Sequence, residues 1–283
     1  GSFSAINNNL ATVQFYSGAV HPTAAVYYGG TQDNGTLRTL NPSSWDVAIS
    51  GDGGATAVDF SNPANVYSEY VYLAILKSTS SGAPNSWVKA MTGIPASGSK
   101  LSNGTTDRCE FIAPLVMDPT NSQVLVAGTY KIYRTINGAG TWTAISSDLT
   151  GDGAGSLGSS GAVISAIAVA KSLSSTIYIG TSGSGSAASR VSVTTNTGSS
   201  WTDLTKAPLP NLYVKAIAID PANRDRAIVT FSGYGAGHVF LTRNRGTSWT
   251  NISGDLPDLP VNTVVIDPTN TGHWIVGTDL GVF

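Results

Sequence analysis

Lys131-Ile-Tyr-Arg-Thr-Ile-Asn-Gly-Ala-Gly-Thr-Trp-Thr-Ala-Ile-Ser146 carries a pattern that the chain uses more than once. Its core, Thr135-x-Asn137-x-x-x-Thr141-Trp142, returns as Thr194-x-Asn196-x-Gly198-x-Ser200-Trp201 and as Thr242-x-Asn244-x-Gly246-x-Ser248-Trp249. A hydroxyl, an Asn that bonds its own turn, a Gly free to take positive φ and a Trp opening the next strand describe a tight hairpin. A hairpin that recurs about every 50 residues signals a propeller or a solenoid.

Working outward, each unit shows three further landmarks. An apolar strand ends in Asp-Pro or a relative: Val20-His21-Pro22, Val58-Asp59-Phe60, Met117-Asp118-Pro119, Val169-Ala170-Lys171, Ile219-Asp220-Pro221 and Ile266-Asp267-Pro268. A second strand ends in Gly-Thr or a substitute, at Gly30-Thr31, Glu69-Tyr70, Gly128-Thr129, Gly180-Thr181, Thr230-Phe231 and Gly277-Thr278. A short third strand follows, as in Lys131 to Arg134 and His238 to Leu241, and the Trp opens a fourth. The first strands are dense in β-branched residues, as sheets covered on both faces require, and Pro with Asp or Asn ends them.

Six units result, the first two with altered hairpins before Trp45 and Trp87. The expected fold is all-β: a six-bladed β-propeller of four-stranded antiparallel blades, forming one domain over residues 1–283. The sixth unit has only three strands, and Phe3 to Leu10 matches Trp142 to Leu149, so the N-terminal strand is expected to close the last blade and remove a bare edge. A stretch taken from a propeller with more blades is the competing reading.

Composition agrees with many short strands and solvated loops. Charged residues are 11% of the 283 and Gly, Ser, Thr and Asn are plentiful. A formal charge of −2 without a Lys/Arg cluster argues against nucleic acid as a partner. No apolar run approaches the about 20 residues that span a bilayer, so no membrane insertion is expected. Cys109 is the single cysteine, and a lone thiol reads as a small buried hydrophobe. The low Lys content with abundant Ser, Thr and Asn suggests a secreted or extracytoplasmic protein, expected to be a monomer.

The Ser/Thr-x-Asp/Asn-x-Gly-x-Ser/Thr-Trp pattern resembles the Asp-box, also called the bacterial neuraminidase repeat. With Gly29-Gly-Thr-Gln-Asp-Asn-Gly35 and Gly51-Asp-Gly-Gly54, the whole chain resembles the Asp-box propellers. That superfamily includes sialidases, xyloglucan-cleaving glycosidases, sortilin-type receptors and photosystem II assembly factors. The resemblance implies the fold and leaves the role open. Asn137, Asn196 and Asn244 stand where Asp is usual, and Ala139 where Gly is usual. Sialidase chemistry would need an Arg-Ile-Pro signature, which does not occur in the chain.

Polar and Gly-rich irregularities collect in the turns between second and third strands and in the links between blades, which open on one face. The box turns open on the other. Gln32, Asp33, Asn34, Asp52, Arg108 and Tyr130 are the candidate binding residues on the loop-rich face, where a glycan, peptide or protein partner would sit. Asp33 and Asp279 hold corresponding turns of the first and sixth units. Thr278-Asp279-Leu280-Gly281 is similar to the Thr-Asp-Val-Gly run that carries an acid in xyloglucanases.

An inverting glycosidase needs two carboxyl groups roughly 6.5 to 9.5 Å apart, so Asp33 and Asp279 are the catalytic candidates of an alternative, hydrolytic reading. Each Asp equally suits the capping of a tight turn. Asp52 between glycines reads as a Gly-flanked turn or, with Asp33, as a source of oxygen ligands, although no spaced Ca²⁺ loop can be assembled. His21, His238 and His273 have no metal-ligand spacing, and no cofactor or metal is expected. A long groove lined with Trp and Tyr would favour the enzyme. Carboxylates bonded to backbone amides would favour the binder.

Overall fold

The computed structural model describes residues 13–41, 44–153, 155, 156 and 158–283, and among them there is no helix. Among the described residues no helix is therefore long and apolar enough to cross a membrane, which says nothing of a β-barrel. Six antiparallel sheets follow one another along the chain, each built from consecutive strands.

Blade 1 comprises β1 (Phe15–Val20), β2 (Tyr27–Thr31), β3 (Gly35–Asn41) and β4 (Ser44–Ile49). Blade 2 comprises β5 (Thr56–Val58), β6 (Val66–Glu69), β7 (Ile75–Ser78) and β8 (Trp87–Lys89). Blade 3 has β9 (Leu115–Asp118), β10 (Asn121–Gly128), β11 (Ile132–Thr135) and β12 (Thr143–Ala144). Blade 4 has β13 (Ile164–Val169), β14 (Ile177–Thr181), β15 (Val191–Thr194) and β16 (Thr202–Asp203). Blade 5 has β17 (Tyr213–Asp220), β18 (Asn223–Ser232), β19 (Val239–Thr242) and β20 (Thr250–Asn251). Blade 6 has β21 (Val261–Ile266), β22 (Trp274–Thr278) and β23 (Gly281–Val282), three strands among the described residues.

The architecture is a six-bladed β-propeller. The expected closing strand, Phe3 to Leu10, lies outside the described residues.

Each Trp hairpin is held by its own side chains. Thr135 Oγ1 donates to Asn137 Oδ1, Asn137 Nδ2 to Thr141 Oγ1, and the Thr141 amide back to Asn137 Oδ1, at 2.8, 3.0 and 2.9 Å. The same three bonds recur around Asn196 and around Asn244. Asn thus takes both accepted bonds on its one carbonyl oxygen, and its amide donates to the hydroxyl where the second oxygen of an Asp would accept.

Two successive positive-φ residues follow each Asn: Gly138 and Ala139, Thr197 and Gly198, Arg245 and Gly246. Gly198 also packs tightly, since a Cβ there would lie 2.4 Å from the Ile145 carbonyl oxygen. Gly198→Ala is expected to cost roughly 2 kcal/mol or more, and an unshifted urea midpoint would refute that.

The indole of each regular hairpin reaches back to the preceding blade. Trp142 Nε1 donates to the Ala90 carbonyl, Trp201 to Ile145 and Trp249 to Leu204, at 2.9, 3.2 and 3.2 Å. The fourth strands that each Trp opens are short, two residues in blades 3, 4 and 5. A hydroxyl at the fourth residue after each Trp takes the next ladder amide. Ile132 N donates to Ser146 Oγ, Val191 N to Thr205 Oγ1 and Val239 N to Ser253 Oγ.

Between blades the apolar faces interlock. One core joins blades 1 and 2 around Tyr28 and Trp87, and another joins blades 2 and 3 around Tyr67, Ile75 and Trp142. Similar cores join blades 3 and 4 through Ile132 and Ile179, blades 4 and 5 through Tyr178 and Phe231, and blades 5 and 6 through Ile228 and Val264.

Candidate functional site

The turn between β2 and β3 and the link from blade 1 to blade 2 meet on the loop-rich face. Asp33 takes φ 59° at the tip of the turn, and its amide donates to Asp52 Oδ1 at 3.0 Å. Gly53 N bonds the Thr31 carbonyl and Gly54 N the Glu69 carbonyl, which seats the link on both blades. Backbones touch here: a Cβ on Gly30 would lie 2.0 Å from the Gly54 oxygen, and one on Gly53 2.4 Å from the Gly35 oxygen. The glycines of both motifs therefore serve close approach.

Gln32, Asp33 and Asn34 project into solvent beside a depression of about 470 Å³ that Val13 and Gln14 also line. The Tyr16 phenol, raised by burial and then by Asp52 and Asp33, borders them.

Asp279 occupies the matching turn of blade 6. Thr31 Oγ1 donates to the Gly35 carbonyl in the first turn and Thr278 Oγ1 to the Gly281 carbonyl in the sixth, so one hydroxyl clamp shapes both. Asp279 is exposed and accepts a 2.7 Å bond from Asn262 Nδ2. Among the described residues no hydrogen bond or ion pair joins Asp33 to Asp279.

Arg108 is buried, and each nitrogen of its guanidinium donates a hydrogen bond within the chain itself. It donates to the carbonyls of Ala162 and Gly153 and to Thr150 Oγ1 at 2.9, 2.7 and 3.0 Å, and lies 3.6 Å from Asp148. It thereby ties the long segment after blade 2 to the insertion before blade 4. Tyr130 is half-buried, its ring 5.4 Å from Arg108 and 5.0 Å from the Lys131 ammonium. Burial alone would lower that ammonium, but Tyr133, Tyr130 and Asp107 hold it above its ordinary value.

The chain has only two glutamates, Glu69 and Glu110, and neither stands among the candidate site residues read from the sequence. Glu110 Oε1 accepts a 2.9 Å bond from the Tyr213 hydroxyl, bringing the segment after blade 2 onto the first strand of blade 5. Burial raises the Glu110 carboxyl, while Tyr213 and Lys215 pull it down. Glu69 is wholly buried, and its Oε1 accepts the amides of Leu73 and Ala113. The usable signal was choice of residue: a chain that places Asp at its turns keeps its two longer acids for the interior. Cys109 packs against the core of blades 2 and 3, and burial, with the nearby acids, pushes its thiol up. Among the described residues no cluster of His, Cys, Asp and Glu is placed to hold a metal.

No protein-family model matches the chain, and no curated protein matches it. Solved structures do. A GH74 enzyme of Niastella koreensis superposes with a TM-score of 0.69 at 20% identity, over 95% of this chain and 44% of that one. The GH74 xyloglucanase from Xanthomonas campestris gives 0.66 at 16% identity, over 95% and 44%. YCF48 from Cyanidioschyzon merolae gives 0.56 at 12% identity, over 91% and 78%. These likenesses share a fold, the β-propeller. The chain spans less than half the length of the GH74 chains it matches.

Proposed function

We propose that the chain is a non-catalytic binding or scaffolding propeller, monomeric and extracytoplasmic, whose loop-rich face holds a neutral glycan. The supporting observation is the state of its acids. Asp52 caps the Asp33 amide, and Asp33 and Asp279 stand in solvent. A general acid needs a desolvated carboxyl, and these turns supply none. What the first turn and the strand beside it present instead are the amides of Gln32 and Asn34 and the Tyr16 hydroxyl, suited to sugar hydroxyls. The repeated Trp hairpins, of Asp-box type, would then be scaffold.

The second reading, an inverting xyloglucanase-like hydrolase with Asp33 and Asp279 as acid and base, draws on the equivalence of the two turns and on the GH74 neighbours. Calorimetry and reducing-end assays on xyloglucan oligosaccharides separate the two. The expected result is binding without turnover, weakened several-fold in Asn34→Ala. Turnover lost in both Asp33→Asn and Asp279→Asn establishes the hydrolase instead, and absence of both binding and turnover removes the glycan.

A further inference from the structure

A groove follows the seam between blades 1 and 2, beside their outer strands β4 and β8. One part, of about 480 Å³, lies between Val47 to Ser50 on blade 1 and Leu76, Asn85 and Trp87 on blade 2. It continues past Ile49, Leu76 and Leu101 into a second part of about 300 Å³ that ends at Tyr70 and Ser102. Its rim is apolar and open, with Val47 52% and Leu101 45% exposed. Among the described residues no Asp, Glu, Lys, Arg or His lines either part.

One wall holds a donor without an acceptor. Trp87 is 7% exposed, and its Nε1 is buried with no hydrogen-bond partner. The next three seams show what is missing. There the indole N–H bonds the carbonyl of the third residue after the preceding blade's Trp, namely Ala90, Ile145 or Leu204. The side chain of that same residue packs into the seam. Ala48 holds this position after Trp45, but the β3–β4 ladder pairs Thr36 with Ile49 and Leu37 with Val47 and leaves Ala48 out. The extra residue bends the wall out of register, and Trp87 loses the carbonyl it would otherwise meet. Solvent does not reach the N–H either, so the unmade bond weighs on the empty groove.

We propose that this groove binds an extended, uncharged peptide segment of a partner protein. Its central apolar side chain packs against Val47, Leu76 and Leu101, and a main-chain carbonyl beside it accepts the Trp87 N–H. Such a segment supplies what Ala90, Ile145 and Leu204 supply in the other seams, an apolar side chain and a carbonyl on one stretch of extended chain. Val47 to Ser50 spans about 13 Å, room for roughly four residues. A charged peptide finds no counter-charge there, and a sugar finds no open indole face to stack on. Ala48, free of the ladder, is the part of the wall that yields as the carbonyl enters. The proposal does not rest on a glycan at the loop-rich face.

The test uses the full chain and capped pentapeptides with Gly, Ser and Thr around a central Leu, Ile, Phe, Asp or Lys. Titrations are followed by NMR at the Trp87 indole N–H, assigned through Trp87→Phe. The Leu, Ile or Phe peptides are expected to saturate and to move that resonance downfield, and the Asp and Lys peptides to bind at least about tenfold more weakly. Val47→Asp should abolish binding, while Val88→Asp, 59% exposed on β8 and outside the groove, should leave it unchanged. Trp87→Phe should weaken it at least about fivefold. No saturation by any apolar peptide at millimolar concentration overturns the proposal. So does binding indifferent to Val47→Asp, or a xyloglucan oligosaccharide that moves the same resonance, which makes the groove a sugar site. A shift that follows protein concentration without peptide reports a second copy and also refutes it. Should Trp87→Phe fail to fold, the unsubstituted chain decides: an indole N–H that stays unmoved while an apolar peptide binds removes the carbonyl contact and the proposal with it.

Discussion

Glu69→Ala is expected to lower the unfolding free energy by roughly 3 kcal/mol at pH 7, because two buried amides lose their acceptor. Leu73 N and Ala113 N lie 3.0 and 3.3 Å from Glu69 Oε1 and belong to different blades, so the carboxyl joins blade 2 to blade 3. On its other side, a Cβ on Gly54 would lie 1.6 Å from Oε2, which has no hydrogen-bond partner. Glu69→Gln keeps a carbonyl for the two amides and is expected to be much milder.

The pH dependence has a defined sign. Burial raises the Glu69 carboxyl well above its ordinary 4.5, outweighing the backbone amides bonded to it. An acid raised on folding contributes stability that is complete below its unfolded pKa and is lost as pH climbs through the folded one. Wild type should therefore lose ground to Glu69→Gln as pH rises above 4.5. Urea titrations of both at several pH values check this. A wild-type advantage that grows toward alkaline pH would show that the carboxyl is held ionised.

Trp142→Ala carries the other large effect, about 4 kcal/mol. The indole is buried among Tyr67, Ile94 and Leu125 and closes the seam of blades 2 and 3, while its N–H satisfies the Ala90 carbonyl. Trp142→Phe restores most of the ring and leaves that carbonyl unpaired, so about 1 to 2 kcal/mol should remain lost. Chemical unfolding resolves the two. Similar losses for Ala and Phe would assign the stabilisation to the hydrogen bond, and no loss for either would contradict the packing.

Architecture was readable because it rests on local chemistry repeated in sequence. Thr135, Asn137 and Thr141 bond one another within seven residues, so their spacing announces the hairpin. Strand patterns and the equivalence of the Asp33 and Asp279 turns were visible for the same reason. The face itself was less legible, since its groups meet across long separations. Arg108 reads as an exposed cation until Ala162, 54 residues on, takes its Nε. Glu110 and Tyr213 stand 103 residues apart, and no local pattern ties a lone acid to a phenol so distant. The ends of the outer strands were not legible because Ser146, Thr205 and Ser253 resemble strand residues, although their hydroxyls replace the ladder.

The indoles of Trp142, Trp201 and Trp249 all point backward along the chain. A polypeptide made from its amino end therefore completes the sheets of blades 2, 3 and 4 before the indole that latches each has been synthesised. In these three, locking trails synthesis by one repeat, and the finished sheet waits with its outer edge unfastened.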